Sequence, residues 1–255
     1  MLKISGKINW GITWLAMTML KRSLRYRISG ENAYWLQPVQ TSNILLFNRI
    51  DFILDTCAGK KILHVGFSDY PFTIKKINDG TLLHLQLQKI TCGLLGLDND
   101  KNTIEQYRQI TNNNDVVYGD ITHQYPLQTI SFNPDIILLS EVMEHLAAPY
   151  KAVDILFDSF AHGTKILVTV PNYMALDSIA SSIHKTEAIH PHHHWYFSPF
   201  TLCKLFDDKR FKLEQVHFGM YYLQNTKINA VLKQYPFNGD CIMAIFSISK
   251  TALYD

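Results

Sequence analysis

The sequence predicts an α/β domain in which a mostly parallel sheet carries helices on both faces. From Lys61 onward, short apolar runs alternate with amphipathic segments, an alternation typical of βαβ units. The run DIILLSEV, which begins at Asp135, is almost continuously apolar, as expected of a central strand buried on both faces. A chain of 255 residues is long enough for one large domain of this class with additions.

The first predicted unit covers the segment that ends at Asp98. The run KILHVG, from Lys61, is predicted to be the first strand. In TLLHLQLQKIT, Leu83, Leu87 and Ile90 recur at helical spacing, which predicts a helix with one apolar face. The run GLLGLD then forms the second strand, so the first strand, the helix and the second strand make one βαβ unit.

The same alternation continues over the next segments. DKNTIEQYRQIT predicts a helix, DVVYGD a short third strand and DIILLSEV the fourth. Pro149 suits the first position of the following helix, which Gly163 is expected to close. The apolar stripe that this helix turns inward is predicted to consist of Val153, Leu156, Phe157 and Phe160.

The last part of the chain contains a fifth strand, an insertion and a closing pair of strands. KILVTVPN is the fifth strand and ends before Pro171, after which regular patterning is lost over residues 173–197. Ser198 and Pro199 indicate the N-cap and first turn of a helix. FKLEQVHFG and CIMAIFSIS complete seven strands, and we assign residues 59–255 to the domain.

Residues 1–58 are predicted to form an N-terminal helical extension. The apolar run at residues 8–20 is shorter than the roughly 20 residues that cross a bilayer, and basic residues follow it. Two interpretations remain. Residues 8–27, with Trp10 and Trp14, could contact an anionic membrane surface, or the segment could pack on the domain.

Composition excludes some functional classes. The formal charge of +2 and the scattered basic residues do not indicate a nucleic-acid partner. The four cysteines are far apart and form no CxxC pair, as is typical of reduced thiols in a cytoplasmic protein. We therefore expect a cytoplasmic protein, with membrane association as the alternative for the N-terminal segment.

Candidate binding residues follow the predicted strands. In an open α/β sheet, ligands bind beyond the carboxyl ends of the strands, near the point where the strand order reverses. The polar or glycine residues at these ends are Gly66, Ser68, Asp69, Asp98, Asn99, Asp120, Ser140 and Glu141.

The turn after the first strand indicates which ligand this edge could bind. A pyrophosphate requires several glycines, but the turn has only Gly66, followed by the bulky Phe67 and the acidic Asp69. Asp98 is placed to accept hydrogen bonds from ribose hydroxyls. These features favour a nucleoside without phosphates, such as S-adenosylmethionine. Alternatively, Gly66 could serve packing alone and Asp98 could cap the next helix.

The order of these motifs resembles that of the class I S-adenosylmethionine-dependent methyltransferases, which have a Rossmann-like fold. HVGFSDYPFT stands at the place of the family's glycine-rich motif, GLLGLDND at that of its ribose-binding acid, and VVYGDIT at that of its adenine-contacting aspartate. DIILLSEVMEHL is similar to the strand and EHL-like triplet of members with small-molecule or glycan substrates. The resemblance covers roughly residue 59 to the C-terminus.

The resemblance implies S-adenosylmethionine as the cofactor, and adds two residues to the candidate set. His64 stands where the family usually has an acidic residue, and Ile121 follows Asp120 in the third motif. The second and third glycines of the family's first motif are missing. Asp69 could replace the missing acid as the partner of the methionine ammonium group.

The insertion contains a run of histidines, HPHHHW, that includes His192 and His194. Adjacent residues point in different directions, and no nearby motif completes a zinc site, so we expect no metal. A solvated loop is one alternative. The other is a substrate lid in which His192 or His194, together with His145 of the EHL triplet, acts as base or orienting donor at the acceptor.

These observations lead to one expected function and two competitors. The expected function is methyl transfer to a small-molecule or saccharide acceptor at a hydroxyl oxygen, since an in-line displacement depends mainly on positioning. A non-catalytic binding or scaffold protein with the same fold is the alternative. A nicotinamide-dependent oxidoreductase is disfavoured because the chain lacks GxGxxG.

Overall fold

The computed structural model describes residues 46–127, 130–220, 230 and 232–250. In these ranges one sheet contains eight strands. Their bounds are β1 Leu46–Asn48, β2 Lys61–Val65, β3 Gly93–Asp98, β4 Val116–Tyr118, β5 Ile136–Ser140, β6 Lys165–Pro171, β7 Phe211–Met220 and β8 Cys241–Ile248. The seven predicted strands and the α/β fold class are confirmed.

The strand order is β1-β7-β8-β6-β5-β2-β3-β4. Neighbouring strands are parallel except for β8, which is antiparallel to both β6 and β7. The chain runs outward from β2 through β3 to β4, and then returns to the other side of β2 to form β5. The strand order therefore reverses between β2 and β5, and ligands of open α/β sheets bind at such a point.

Strand β1 is an addition that the sequence pattern does not reveal. Leu46–Asn48 pairs in parallel with the end of β7, at the edge of the sheet. Helix α1, Arg49–Cys57, follows directly, and the Asn48 side chain caps it by accepting hydrogen bonds from the amides of Ile50 and Asp51. The predicted helical extension, residues 1–58, includes α1. Residues 8–27 of this extension lie outside the described part of the chain.

The remaining helices connect the strands. They are α2 Thr73–Asn78, α3 Leu83–Gln88, α4 Lys101–Thr111, α5 Gln124–Leu127, α6 Pro149–Ser159, α7 Leu176–Ile183 and α8 Pro199–Leu205. Short 3₁₀ turns cover Met143–His145 and Pro236–Asn238. The predicted N-cap at Ser198 is confirmed, because Ser198 and Thr201 form a capping box at the start of α8.

Three local expectations differ from the structure. The sequence pattern does not indicate the helix α2, and α7 lies within the insertion, where regular patterning is lost. Helix α6 ends at Ser159 with Phe160 as its C-cap, so Gly163 does not close it but lies at φ 85° in the turn before β6. Phe160 is only partly buried, whereas Val153, Leu156 and Phe157 are buried as predicted.

The core lies at the centre of the sheet. Strands β2, β5 and β6 are buried along nearly their whole lengths, so side chains on both faces are covered. One apolar cluster joins α1 to these strands through Phe52, Ile53 and Ile62. This rigid centre fixes the positions of the strand ends. Among the described helices, none is long and apolar enough to cross a membrane.

Candidate functional site

The turn after β2 requires glycine at its first position. Gly66 has φ +66°, and a Cβ atom built there would lie 2.6 Å from Cγ2 of Val142. Its amide donates to the carbonyl oxygen of Leu97 at 2.8 Å. Both the left-handed conformation and the close approach of the segment after β5 exclude a side chain at this position.

Asp98 ends β3 next to this turn and is 7% exposed. Its Oδ2 accepts a hydrogen bond from the Ser68 amide at 3.1 Å, and its Oδ1 accepts one from the Asp100 amide at 3.0 Å. The N-cap of α4 is Asp100, whose side chain accepts from two backbone amides. The capping alternative for Asp98 is therefore wrong, and each oxygen of Asp98 keeps acceptor capacity beyond these single bonds. The neighbouring Asn99 is exposed.

Asp69 lies at the end of the same turn and lines a cavity. Its carboxylate forms an ion pair with Lys76 of α2, and its amide donates to the hydroxyl of Thr73 at 2.9 Å. The ion pair satisfies one carboxylate oxygen. A ligand ammonium group would have to share this carboxylate with Lys76.

Asp120 follows β4 and is held by local hydrogen bonds. Its Oδ1 accepts from the amide and the hydroxyl of Thr122, at 2.8 and 2.7 Å, and its Oδ2 lies 3.2 Å from His123 Nδ1. Partial burial raises the pKa of Asp120, but the Thr122 hydrogen bonds and His123 outweigh it and hold this pKa below its usual value. Ile121 is buried, at 4% exposure.

His64 is not brought to the strand ends. It is 2% exposed, and its Nδ1 lies 3.2 Å from Nδ1 of His84, with the two rings stacked. His84 in turn lies 3.5 Å from the Asp115 carboxylate. Burial, and next the proximity of His84, lower the pKa of His64 well below its usual range. His64 therefore forms a polar cluster with His84 and Asp115, in which both histidines are buried.

The end of β5 carries a connected group of polar side chains. Ser140 Oγ accepts from Arg49 Nη1 at 2.8 Å, and Glu141 Oε1 accepts from the Thr169 hydroxyl at 2.8 Å. Glu141 has φ +58°, an uncommon conformation for a residue other than glycine. Arg49 is a site residue that the sequence pattern does not identify, because only the pairing of β1 with β7 brings α1 to this edge.

Glu144, in the EHL triplet, is fully buried. In the described part of the chain, neither of its carboxylate oxygens has a hydrogen-bond partner. Burial, and next the negative charge of Glu141, raise the pKa of Glu144 well above its usual value. Both effects favour the neutral form of this carboxyl group.

A cavity of about 510 Å³ opens beside these strand ends. Its floor includes Asp69 and Glu141 of the predicted cofactor set and His145 of the predicted catalytic set. Residues of the insertion form the opposite wall; they include Ala188, Ile189, His190, His193 and Tyr196. The cavity therefore lies between the ends of β2, β5 and β6 and the insertion, and its lining does not include Gly66, Asp98 or Asp120.

The histidine run contributes to this cavity through residues other than those predicted. His190 and His193 line it, whereas His192 and His194 are exposed and are not among the lining residues. The His194 amide donates to the Glu144 carbonyl oxygen at 2.8 Å, and the rings of His145 and His193 meet edge to face at 4.5 Å. Burial lowers the pKa of His145, and burial followed by the neighbouring histidines lowers that of His193 to about 4.

Comparisons with known proteins agree with this architecture. A family profile described as "Methyltransferase domain" matches residues 53–216. A Bacillus halodurans protein described as a proposed methyltransferase superimposes with a TM-score of 0.51 at 12% identity, over 78% of this chain and 98% of that one. An S-adenosylmethionine-dependent methyltransferase from Mesorhizobium loti superimposes with a TM-score of 0.50 at 12% identity, over 78% and 95%. Among curated proteins, none matches the sequence significantly.

Proposed function

Because the chain belongs to the methyltransferase domain family, we propose that it transfers a methyl group from S-adenosylmethionine to a hydroxyl oxygen of a small-molecule or saccharide acceptor. The observation that carries this proposal is Asp98. Its buried carboxylate accepts a hydrogen bond from the Ser68 amide at 3.1 Å and lies beside the Gly66 turn, at the end of the strand next to β2, where the strand order reverses towards β5.

The residues at the strand ends fit a nucleoside cofactor without phosphates. The oxygens of Asp98 keep acceptor capacity for ribose hydroxyls. Asp120 and Ile121 follow the adjacent strand, where an adenine ring would lie beside the ribose. When bound, S-adenosylmethionine supplies an electrophilic methyl group on a sulfonium.

The contribution of the protein to such a transfer is mainly positioning. The acceptor would occupy the cavity between the strand ends and the insertion, and this confinement supports an in-line approach to the methyl group. His145 lines the cavity and is neutral near pH 7 because its pKa is lowered, so it can accept a proton from an acceptor hydroxyl. His192 and His194, the other predicted bases, remain predictions.

A non-catalytic binding protein is the second candidate, and one observation favours it. Asp69, the candidate partner for the methionine ammonium group, is already paired with Lys76. If this ion pair persists, the methionine end of the cofactor lacks one anchor. The protein would then bind the cofactor weakly or would require its acceptor to complete the site.

Calorimetric titration with S-adenosylmethionine and S-adenosylhomocysteine tests the proposal. We expect saturable binding, weakened about 10- to 100-fold in Asp98→Asn, since hydrogen bonds to a charged group contribute roughly 1.5–3 kcal/mol. Asp79→Ala is a matched control, because Asp79 is an acidic residue at the end of α2 that pairs only with Lys75 among the described residues. Absence of binding to the intact protein would support the non-catalytic alternative.

We also propose that residues 8–27 provide a peripheral contact with anionic membranes, on the pattern of two tryptophans beside a basic cluster. Flotation with anionic and neutral vesicles, using the full chain and a chain lacking residues 1–40, tests this proposal. Loss of flotation on truncation is the expected result. Equal flotation of both chains would contradict it.

A further inference from the structure

We infer that His145, His190 and His193 form a binding site for a divalent transition-metal ion. One ring nitrogen from each side chain lies within 4.8 Å of the others. Four nitrogens around a tetrahedral zinc ion lie about 3.4 Å apart, given Zn–N distances of about 2.0–2.1 Å. The three nitrogens would therefore have to approach one another by at most about 1.4 Å to reach ligand distances.

The three ligands come from two distant segments. His145 lies in the 3₁₀ turn after β5, while His190 and His193 lie in the insertion. The sequence pattern predicts no metal site, because neighbouring residues of the histidine run diverge and no other ligand is near in sequence. The fold supplies the missing ligand, since it places His145 against the ring of His193.

The orientation of His145 suits metal ligation. Its Nδ1 lies 3.3 Å from the carbonyl oxygen of His192. A carbonyl oxygen can only accept, so the ring donates at Nδ1 and Nε2 carries the free lone pair. Histidines that bind metals usually donate their second nitrogen to a carbonyl or a carboxylate in this way.

The other two rings lie next to each other in the insertion, with their centroids 5.2 Å apart. His190 accepts a long hydrogen bond at Nδ1 from the His192 amide, 3.3 Å away. Ligation by His190 would exchange this contact for a metal bond, so the loop would adjust as the ion binds.

The ligand set indicates the class of ion. Three imidazoles with no carboxylate favour zinc, cobalt, nickel or copper over magnesium and calcium, which prefer oxygen ligands. All three side chains also line the cavity, so the fourth position of a tetrahedral ion would open towards it.

The consequence of such an ion would be a fixed cavity wall. Helix α7 in the insertion has no buried residue. Three hydrogen bonds join the insertion to the EHL triplet. The His194 amide donates to Glu144 and Trp195 Nε1 donates to Leu146, each at 2.8 Å, and His145 Nδ1 donates to the His192 carbonyl oxygen at 3.3 Å. A metal ion would add a stronger link between the same two segments. It would also occupy the lone pair of His145, which could then not act as a base.

Metal titration of the full chain tests the inference without cofactor or acceptor, so the outcome is independent of methyl transfer. Protein stripped with a chelator is titrated with Zn²⁺ by calorimetry and with Co²⁺ by visible absorption. We expect one ion per chain and the intense bands of tetrahedral cobalt. His193→Ala should weaken binding at least about 100-fold, a loss of roughly 2.7 kcal/mol.

The decisive variant is His145→Asn, because its side-chain amide can still donate to the His192 carbonyl but offers no nitrogen in place of Nε2. We expect it to lose at least about 100-fold in affinity while retaining its far-ultraviolet circular dichroism. His184→Ala, which removes an exposed histidine of the same insertion, should bind like the unmodified chain. Unchanged affinity in His145→Asn would show that any ion binds the histidine run alone and would overturn the inference, as would absence of binding to the intact chain.

Discussion

The two sides of the candidate site, the strand ends and the insertion, are built differently. At the strand ends, Gly66 and Asp98 are held by backbone hydrogen bonds between neighbouring strands and turns, and Asp98 is almost buried. On the opposite side, α7 buries no residue, and the insertion contacts the EHL segment through a few hydrogen bonds. The sheet therefore fixes the strand ends in advance, whereas the insertion can change without disturbing the core.

The difference between these sides predicts how the protein responds to substitution. Changes at the strand ends should unfold the domain or abolish cofactor binding, because they act on close contacts within the core. Changes in the insertion should alter local opening and leave global stability nearly unchanged. The following experiments test this contrast.

The largest effect is expected for Gly66→Ala. Gly66 and Gly59 have nearly equal φ angles, +66° and +67°, but only a Cβ at Gly66 meets another atom, Val142 Cγ2 at 2.6 Å. Gly59→Ala thus measures the cost of the left-handed conformation alone, about 1 kcal/mol. Gly66→Ala adds the overlap and should reduce the free energy of unfolding by roughly 3 kcal/mol in urea denaturation. Equal losses in the two variants would show that the segment after β5 can move away.

A smaller loss is expected when Arg49 is replaced. Its guanidinium donates to Ser140 and lies 4.0 Å from Glu141, near the buried Glu144. Arg49→Met keeps the apolar stem but leaves these acceptors without their cation, and should cost about 2 kcal/mol of unfolding free energy. Arg49→Lys keeps the charge and should recover part of this loss. A neutral result for Arg49→Met would show that α1 does not stabilise this strand end.

His64, a buried residue of β2, should make the stability of the sheet depend on pH. Its pKa is lowered well below 6.5, so below that pH the unfolded chain takes up a proton that the folded chain does not. The free energy of unfolding should therefore fall as the pH falls, by about 1 kcal/mol between about pH 6.5 and 5.5. The facing groups are His84 and, through it, Asp115, whose lowered pKa acts at more acidic pH.

His64→Asn tests the source of this slope, because the amide can replace the hydrogen bond of the ring to His84. Denaturant unfolding at several pH values should give a flatter profile for the variant over this interval. A profile with the same slope would assign the pH dependence to a group other than His64.

The sequence predicts the sheet well because its signals are local. Continuous apolar runs identify β5 and β6, and Ser198 with Pro199 marks the start of α8. Strand β1 has only three residues, and its pairing with β7 depends on segments about 170 residues apart, as in Leu46 with Phe218. No local pattern predicts a pairing over that separation.

The residues of the candidate site also differ in how well the sequence predicts their positions. Gly66 directly follows β2 and Asp98 is the last residue of β3, so their places at the strand ends could be inferred from the sequence. Arg49, and His190 and His193 as partners of His145, depend on tertiary contacts between distant segments. His64 lies in β2, and its side chain is buried. Its buried partner, His84, lies 20 residues further along the chain.

The smallest effect is expected for Trp195→Phe in the insertion. Its indole Nε1 donates to the Leu146 carbonyl, but the side chain is 45% exposed. Loss of this bond should lower the global free energy of unfolding by only about 0.5 kcal/mol. Hydrogen exchange should nevertheless become faster throughout the insertion, because the link to the EHL segment is weakened. Tyr196→Phe is the matched control, since the Tyr196 hydroxyl donates to Ala188 within the insertion itself. Faster exchange in Trp195→Phe alone would show that the hydrogen bond to Leu146 attaches the insertion to the rest of the domain. Equal exchange in both variants would mean that contacts within the insertion hold it in place, and would contradict the contrast between the insertion and the strand ends.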